Sequence, residues 1–211
     1  MISAAYLDVN GAWHGCIRKP DGTFINYDPP DAGTGSGQGT YPTPLTAGVS
    51  PDGAIVGEYF DPNYVWHTYL RSPDGYITEI DDPHSGTAPG SGQGTLTLGV
   101  NPAGEIYGVY IDANYAFHGY VRERDGAIKD LDVPGAGTGQ YQGTNACWFI
   151  VCFGGLNPSG TIAGLFVDND NVYHGYVRTR DVEITKLSLT LRARDKTHGR
   201  GLCLRALIPK G

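Results

Sequence analysis

Short runs of β-branched and aromatic residues, separated by turn-forming residues, recur along the whole chain. The clearest examples are residues 106–111, 117–121 and 127–131, and Asp, Asn, Gly or Pro residues lie between them. Runs of this length and composition are typical of β-strands, and the Asp-Gly and Pro-x-Gly pairs supply the positive φ angles of tight hairpins. No segment has the 3.6-residue periodicity of an amphipathic helix. The pattern therefore predicts an all-β fold.

One aromatic-His pair recurs four times along the chain. The histidines are followed after four residues by Arg and after seven by Asp, and an Asp precedes each by six residues. Because a pattern held at four positions in four copies marks an internal repeat, the chain consists of four units of about 50 residues. The aspartate-histidine pairs are Asp8 and His14, Asp61 and His67, Asp112 and His118, and Asp168 and His174.

Each unit is expected to contain four antiparallel strands, named a, b, c and d, followed by a Gly-rich crossover to the next unit. Four-stranded units of this length predict a four-bladed β-propeller, with an open β-repeat solenoid as the alternative. Residues 202–208 stand in the same repeat register as 95–101, so the C-terminal segment should supply strand a of blade 1 and close the ring by pairing with the N-terminal strand. The predicted single domain spans 1–211, with blade 1 at 202–211 plus 1–28, blade 2 at 45–82, blade 3 at 95–132 and blade 4 at 146–188.

The recurring motifs also resemble a known family. His-Gly-Tyr at 118–120 and 174–176, with the Asp-Gly, Asp-x-Pro-Gly-Ala and Gly-x-Asn-Pro turns, is similar to the HAF-repeat family of extracellular bacterial proteins. The resemblance covers nearly the whole chain and departs from the family pattern in residues 182–200. It implies a repeat β fold and an extracellular or periplasmic location, and it implies no activity.

Charge and composition narrow the range of partners. With 15 Lys and Arg against 22 Asp and Glu, the net charge is −7, which disfavours nucleic acid and anionic membranes. No apolar run is long enough for a membrane span, and residues 1–5 lack the basic start of a signal peptide. We expect a small-molecule or glycan ligand, and a monomer or weak homo-oligomer. Cys147 and Cys152 fit either a small bridged loop or two buried thiols.

In a blade, the b–c turn and the d-to-a crossover share one face, the crossover face, whereas the a–b and c–d turns share the opposite hairpin face. The crossover face should therefore carry all the Asp-x5-His pairs. One interpretation is structural: the carboxylate and the imidazole hydrogen-bond each other and hold the b–c turn. The other is that a subset of the four histidines and four aspartates binds a divalent ion such as Zn, Mn or Ca.

Further candidates for ligand binding lie in the crossovers. Gln38, Gln93 and Gln142 end the Gly-rich stretches, which are either simple connections or binding loops. His84 and Trp148 have no counterpart in the other units, and active sites need such asymmetry.

Two functions fit these features. The first is a metal-assisted hydrolase of esters or phosphoesters with its site on the crossover face, for which the sequence does not single out catalytic residues. The second is a lectin-like carbohydrate-binding or scaffold module without catalytic activity. The chain contains no Ser nucleophile elbow, phosphate loop or dinucleotide fingerprint.

Overall fold

The computed structural model describes residues 1–41, 48–146, 154–181, 183–189 and 206–207. The regular structure in these ranges is all β-strand, which confirms the predicted all-β class but not the four-bladed propeller. These ranges contain no helix that could cross a membrane. The strands are β1 (Ile2–Leu7), β2 (Trp13–Arg18), β3 (Phe24–Tyr27), β4 (Gly39–Tyr41), β5 (Gly48–Val49), β6 (Ile55–Phe60), β7 (Trp66–Arg71), β8 (Ile77–Ile80), β9 (Gly94–Val100), β10 (Ile106–Ile111), β11 (Phe117–Arg122), β12 (Ile128–Asp130), β13 (Gly143–Thr144), β14 (Gly154–Leu156), β15 (Ile162–Val167), β16 (Tyr173–Arg178), β17 (Ile184–Leu189) and β18 (Ala206–Leu207).

The strands follow the repeat. Unit 3 is the clearest, with β9, β10, β11 and β12 as strands a to d, each antiparallel to the next. Units 2 and 4 repeat this order with β6, β7 and β8 and with β15, β16 and β17, and their strand a is described in two pieces, β4 with β5 and β13 with β14. In unit 1, β1, β2 and β3 are strands b, c and d.

The units are joined into one large mixed sheet rather than standing as separate sheets. The first residue of each strand a pairs in parallel with the first residue of strand c in the preceding unit, as in Trp66 with Gly94. Gly94 has φ +124°, and a Cβ there would lie 2.0 Å from the carbonyl oxygen of Trp66. Glycine is therefore required at this junction. The same junction joins Trp13 to Gly39 and Phe117 to Gly143.

Among the residues that the structure describes, the sheet is not closed, and the predicted pairing of the C-terminal segment with the N-terminal strand is not observed. Ala206–Leu207 pairs with Ser188–Leu189 of β17, and β1 pairs only with β2 within the described ranges. The rest of residues 202–208 lies outside the described residues. The repeat register fixes which residues can form strand a, but it does not fix which edge that strand joins.

Successive units pack against each other through apolar side chains. One cluster between units 3 and 4 contains Tyr107, Ile162 and Tyr176, and similar clusters lie between units 1 and 2 and between units 2 and 3. The hydroxyl oxygens of Tyr107 and Tyr176 are 3.0 Å apart. Each strand c tyrosine lies over a strand b glycine: a Cβ on Gly57 would be 2.5 Å from the hydroxyl oxygen of Tyr69.

Candidate functional site

The crossover loops and the b–c turns lie together, as predicted for the crossover face. The backbone N–H of Gly90 donates to the carbonyl oxygen of Asn63 at 2.6 Å, and that of Tyr141 donates to Tyr115 at 2.8 Å. Each bond joins a crossover loop to the b–c turn of the same unit. Gly37 makes the equivalent bond to Gly11 in unit 1, and Gln142 Nε2 donates to the carbonyl oxygen of Asn169 in the b–c turn of unit 4. The b–c turns with their Asp-x5-His pairs are therefore on one face with the described crossover loops.

The aspartate of each Asp-x5-His pair closes its own b–c turn. Asp61 Oδ1 accepts the backbone N–H groups of Asn63 and Val65, each at 2.8 Å. Asp8, Asp112 and Asp168 make the equivalent bonds. The backbone hydrogen bond from Ala12 is the main reason why the pKa of Asp8 is lowered. These bonds support the structural interpretation of the aspartates.

The histidines of units 1 to 3 bond a different carboxylate from the one expected. His67 Nδ1 lies 2.5 Å from Asp81 Oδ2, whereas its Nε2 is 3.9 Å from Asp61. His14 with Asp28 and His118 with Asp132 repeat this geometry at 2.7 and 2.8 Å. We name Asp28, Asp81 and Asp132, fourteen residues after each histidine, the second aspartates. The expected bond between the paired aspartate and histidine is present only in unit 4, where Ser188 replaces the second aspartate.

Each histidine also stacks on an aromatic ring of strand b, because the two residues are directly opposite across the b–c hairpin. His118 stacks on Tyr110 with 4.7 Å between ring centroids, and His67 stacks on Tyr59 at 4.8 Å. The hydrogen bond that the His118 ring donates to Asp132 is the main reason why the pKa of His118 is raised. At His67 burial lowers the pKa, but Asp81 and the nearby acids outweigh burial, and the pKa is raised.

A pocket of about 430 Å³ opens between units 1 and 2 on the crossover face, and we name it the His67 pocket. His67, Glu79 and Asp81 each offer one ligand atom within 4.8 Å of the others. His67 Nδ1 is 3.8 Å from Glu79 Oε2, and the Tyr59 hydroxyl donates to the same carboxylate. Asp81 is not part of the pocket lining and is joined to it through its bond to His67. The pocket is lined by His67, Glu79 and Tyr59, together with Pro30, Asp31, Ala32, Asp61 and Pro62.

Glu79 was not singled out by the sequence analysis. The signal that could have found it is its departure from the repeat, because Asn26, Asp130 and Lys186 stand at the corresponding position in the other units. Unit 2 is thus the only one that places a glutamate beside the histidine and the second aspartate.

A second group with metal-ligand chemistry surrounds His84. Asp82, His84 and Asp130 also bring ligand atoms within 4.8 Å of one another. Asp82 is 2% exposed, and its Oδ1 accepts the His84 backbone N–H at 2.9 Å and lies 3.1 Å from His84 Nδ1. The sequence analysis also did not single out Asp82. The signal that could have found it is again a departure from the repeat, because Pro29 and Val133 occupy its position in units 1 and 3.

The three predicted glutamines are used inside the protein. Gln38 Oε1 accepts the N–H of Gly35 at 2.8 Å, and its Nε2 donates to the carbonyl oxygen of Pro62 in the next unit at 2.9 Å. Gln93 and Gln142 make the same type of link, and all three side chains are buried. Their amides fasten crossovers to the following unit and are not open to a ligand. Trp148 lies outside the described residues.

Glu58 is a further residue that the sequence analysis missed. It is 2% exposed on strand b of unit 2, where Ala5, Val109 and Leu165 stand in the other units. Its Oε1 accepts the backbone N–H of Thr97 at 2.7 Å. Burial raises the pKa of Glu58 to about 8.

Fold and site together describe a β-repeat protein with histidine and carboxylate groups concentrated on one face. No protein-family model matches the chain, and no curated protein matches it. The function is therefore argued from the residues themselves.

Proposed function

We propose that the His67 pocket binds one divalent cation and that the protein is a metal-assisted hydrolase of esters or phosphoesters. The observation that carries this proposal is the meeting of His67, Glu79 and Asp81 at a solvent-open pocket that His67 and Glu79 line and that is large enough for a small substrate. One imidazole nitrogen with two carboxylate oxygens suits zinc or manganese better than calcium, which prefers oxygen ligands alone.

The electrostatics of the pocket support a cation. Asp31, Asp61 and Glu79 line it, and its lining residues include no lysine or arginine. A cation between His67 Nδ1 and Asp81 would take the place of the proton that now joins them. That exchange makes binding weaker as the pH falls, because the imidazole must be deprotonated to act as a ligand.

A bound divalent cation would supply an activated water near neutral pH. The water would supply the oxygen that replaces the alcohol oxygen on the acyl carbon or phosphorus of the substrate. A pocket carboxylate would accept the proton lost by the water and return it to the leaving alcohol. Asp31 and Asp61 are the carboxylates of the pocket that stand outside the three-ligand group.

We also propose that the four units are arranged as the blades of a propeller, which gives the crossover face its common orientation. Support comes from strand a of unit 3, which contacts strand a of both neighbouring units, as inner strands around one axis do. Membership of the extracellular HAF-repeat family is part of this proposal and rests on the motifs alone.

A lectin-like module is the second candidate function. It is favoured by exposed tyrosines on the crossover face: Tyr141 is 62% exposed, and its ring centroid is 6.1 Å from that of Tyr115. Aromatic faces of this kind can stack on sugar rings. The two functions differ in their need for a metal ion.

The experiment measures metal content and turnover in the same preparation. Protein stripped of metal should take up one Zn²⁺ or Mn²⁺ per chain in a calorimetric titration. Hydrolysis of nitrophenyl acetate, nitrophenyl phosphate and bis(nitrophenyl) phosphate should return when the ion is added. The variant Glu79→Gln keeps an acceptor for Tyr59 and removes one anionic ligand, so ion affinity should fall at least about tenfold. The matched control is His118→Asn, which alters a histidine with the same stacking and aspartate bond but outside the pocket.

The outcomes separate the two candidates. Ion uptake lost in Glu79→Gln but retained in His118→Asn, with metal-dependent turnover, supports the hydrolase. Absence of stoichiometric uptake rules it out, and binding on a glycan array by the metal-free protein then favours the lectin-like module.

A further inference from the structure

A second cavity lies on the hairpin face, opposite the His67 pocket. It has a volume of about 550 Å³ and opens between units 3 and 4. Its lining includes four cationic side chains, which is unusual in a chain with a net charge of −7. We name it the arginine cavity after Arg124, Arg178 and Arg180, which line it with Lys129.

Most charges of this cavity are absent from the corresponding positions of other units. Arg124 and Arg180 occupy a position in the c–d turn that is Pro20 in unit 1 and Pro73 in unit 2. Lys129 likewise replaces a neutral residue, since Ile25, Thr78 and Thr185 stand at its position. The repeat fold does not need these cations, because units 1 and 2 form the same turns without them.

The carboxylates of the cavity are already engaged. Glu105, whose side chain is 13% exposed, accepts from Arg180 at 3.0 Å and from the Asn101 amide at 2.5 Å. Glu123 pairs with Lys129 at 2.5 Å. Asp125 accepts the backbone N–H of Ala127 in its own turn.

Of the three arginines that line the cavity, Arg124 and Arg178 make no salt bridge within the part of the chain that the structure describes. The comparison with unit 2 explains why the Arg178 side chain faces the cavity. Arg71, its counterpart, lies over the ring of Tyr27 at 5.1 Å. In unit 3 the position of Tyr27 is taken by Leu131, which has no aromatic face for the cation.

From this arrangement we infer that the arginine cavity binds a small phosphorylated ligand, with Arg124 and Arg178 holding the phosphoryl group. Two guanidinium groups without a salt bridge match the charge of a phosphate dianion, and the planar N–H pairs of arginine fit its oxygen atoms. A volume of about 550 Å³ leaves room for an organic group beyond the phosphate.

The test is calorimetric titration of the full chain with inorganic phosphate and with glycerol 3-phosphate. Metal is first removed in Tris chloride, because a cation in the His67 pocket could itself bind phosphate and add to the measured heat. A chelating resin is used for this step, because a soluble chelator is a polyanion and would compete for the arginine cavity. Saturable binding is expected, with glycerol 3-phosphate the tighter ligand and affinity falling as chloride is raised. Sulfate serves as the third probe, and it should compete more weakly if a phosphate ester is the true ligand class.

Two variants locate the site. Arg178→Gln and Arg124→Gln should each weaken phosphate binding by about tenfold or more, because each removes a charge-assisted hydrogen bond. Arg122→Gln is the matched control, since Arg122 holds the same repeat position as Arg178 but does not line the cavity. Arg124 is an exposed turn residue, so that variant should fold even if Arg178→Gln does not.

The inference fails if none of the probes binds the metal-free protein, or if Arg122→Gln weakens binding as much as the two cavity variants do. Tighter binding of sulfate than of either phosphate compound would also overturn the assignment to phosphorylated ligands. None of these results depends on the cation of the His67 pocket, so the two proposals stand or fall separately.

Discussion

Nε2 of His174 lies 2.7 Å from Oδ2 of Asp168, and this contact distinguishes unit 4 from the other three. In units 1 to 3 the corresponding atoms are 3.7 to 3.9 Å apart, and the histidine instead bonds through Nδ1 to the second aspartate. Unit 4 has Ser188 at that second position. The imidazole is therefore held by a carboxylate in every unit, and the second aspartate is the partner wherever the sequence supplies one.

This preference predicts the effect of Asp132→Asn on His118. The pKa of His118 should fall, because the hydrogen bond that its ring donates to Asp132 is the main cause that raises it. Nuclear magnetic resonance titration of the ring protons measures the change. Asp130→Asn is the control, since it removes a nearby carboxylate that is not bonded to the ring, and an equal fall in both variants would contradict the assignment.

Stability should decrease as the pH rises from about 5 to 9. The pKa of Glu58 is raised from 4.5 to about 8 by burial, so the neutral acid contributes its full stability below about pH 4.5 and loses it as the pH rises through 8. His14, His67 and His118 act in the same direction, because their pKa values are also raised. The stability that each protonated imidazole gives the folded protein is lost as the pH rises through its pKa. Thermal unfolding across this range measures the effect.

The variant Glu58→Gln isolates the buried acid. It should be more stable than the original protein at pH 9, by on the order of a few kcal/mol, and close to it at pH 5. Glu183→Gln, at an exposed position, should leave the pH dependence unchanged. Identical pH curves for Glu58→Gln and the original protein would show that Glu58 is not the group responsible.

Much of each unit could be predicted from the sequence because its hairpins are local. Strand b of unit 3 was expected at 106–111 and is observed at Ile106–Ile111, since the turns on either side fix its register. The junctions between units were not predicted, because the parallel contact of Trp66 with Gly94 joins residues whose pairing no turn determines. Glu58, Glu79 and Asp82 were missed because a repeat is recognised from the residues that its units share. Each of these three residues stands at a position where unit 2 differs from the other units.

The glycine under each strand c tyrosine gives a further prediction. Gly57→Ala should destabilise the protein by about 1–3 kcal/mol, because the added methyl group would lie 2.5 Å from the hydroxyl oxygen of Tyr69. Gly99→Ala is the control, since nothing lies within 4 Å of a Cβ built there. Chemical unfolding of the two variants measures the difference, and equal stabilities would argue against the close packing of the tyrosine.

The buried glutamines should matter for stability rather than for binding. Gln93→Ala removes the acceptor for Ala88 and the donor to Ala113, so the free energy of unfolding should fall by about 1–3 kcal/mol. The exposed Gln140, changed in the same way, should have little effect. A stable Gln93→Ala variant with altered ligand binding would instead return the glutamines to the list of ligand-binding candidates.

The junction of each strand a with the preceding strand c affects how the protein loses its structure. The N–H of Trp66 donates to the carbonyl oxygen of Gln93, so the beginning of strand c in unit 2 depends on the residue just before strand a of unit 3. A single unit cut from the chain would leave this backbone group without its partner and would lose the glutamine link as well. The smallest cooperative piece is thus a pair of neighbouring units, and pulling on the chain should release structure in steps larger than one repeat.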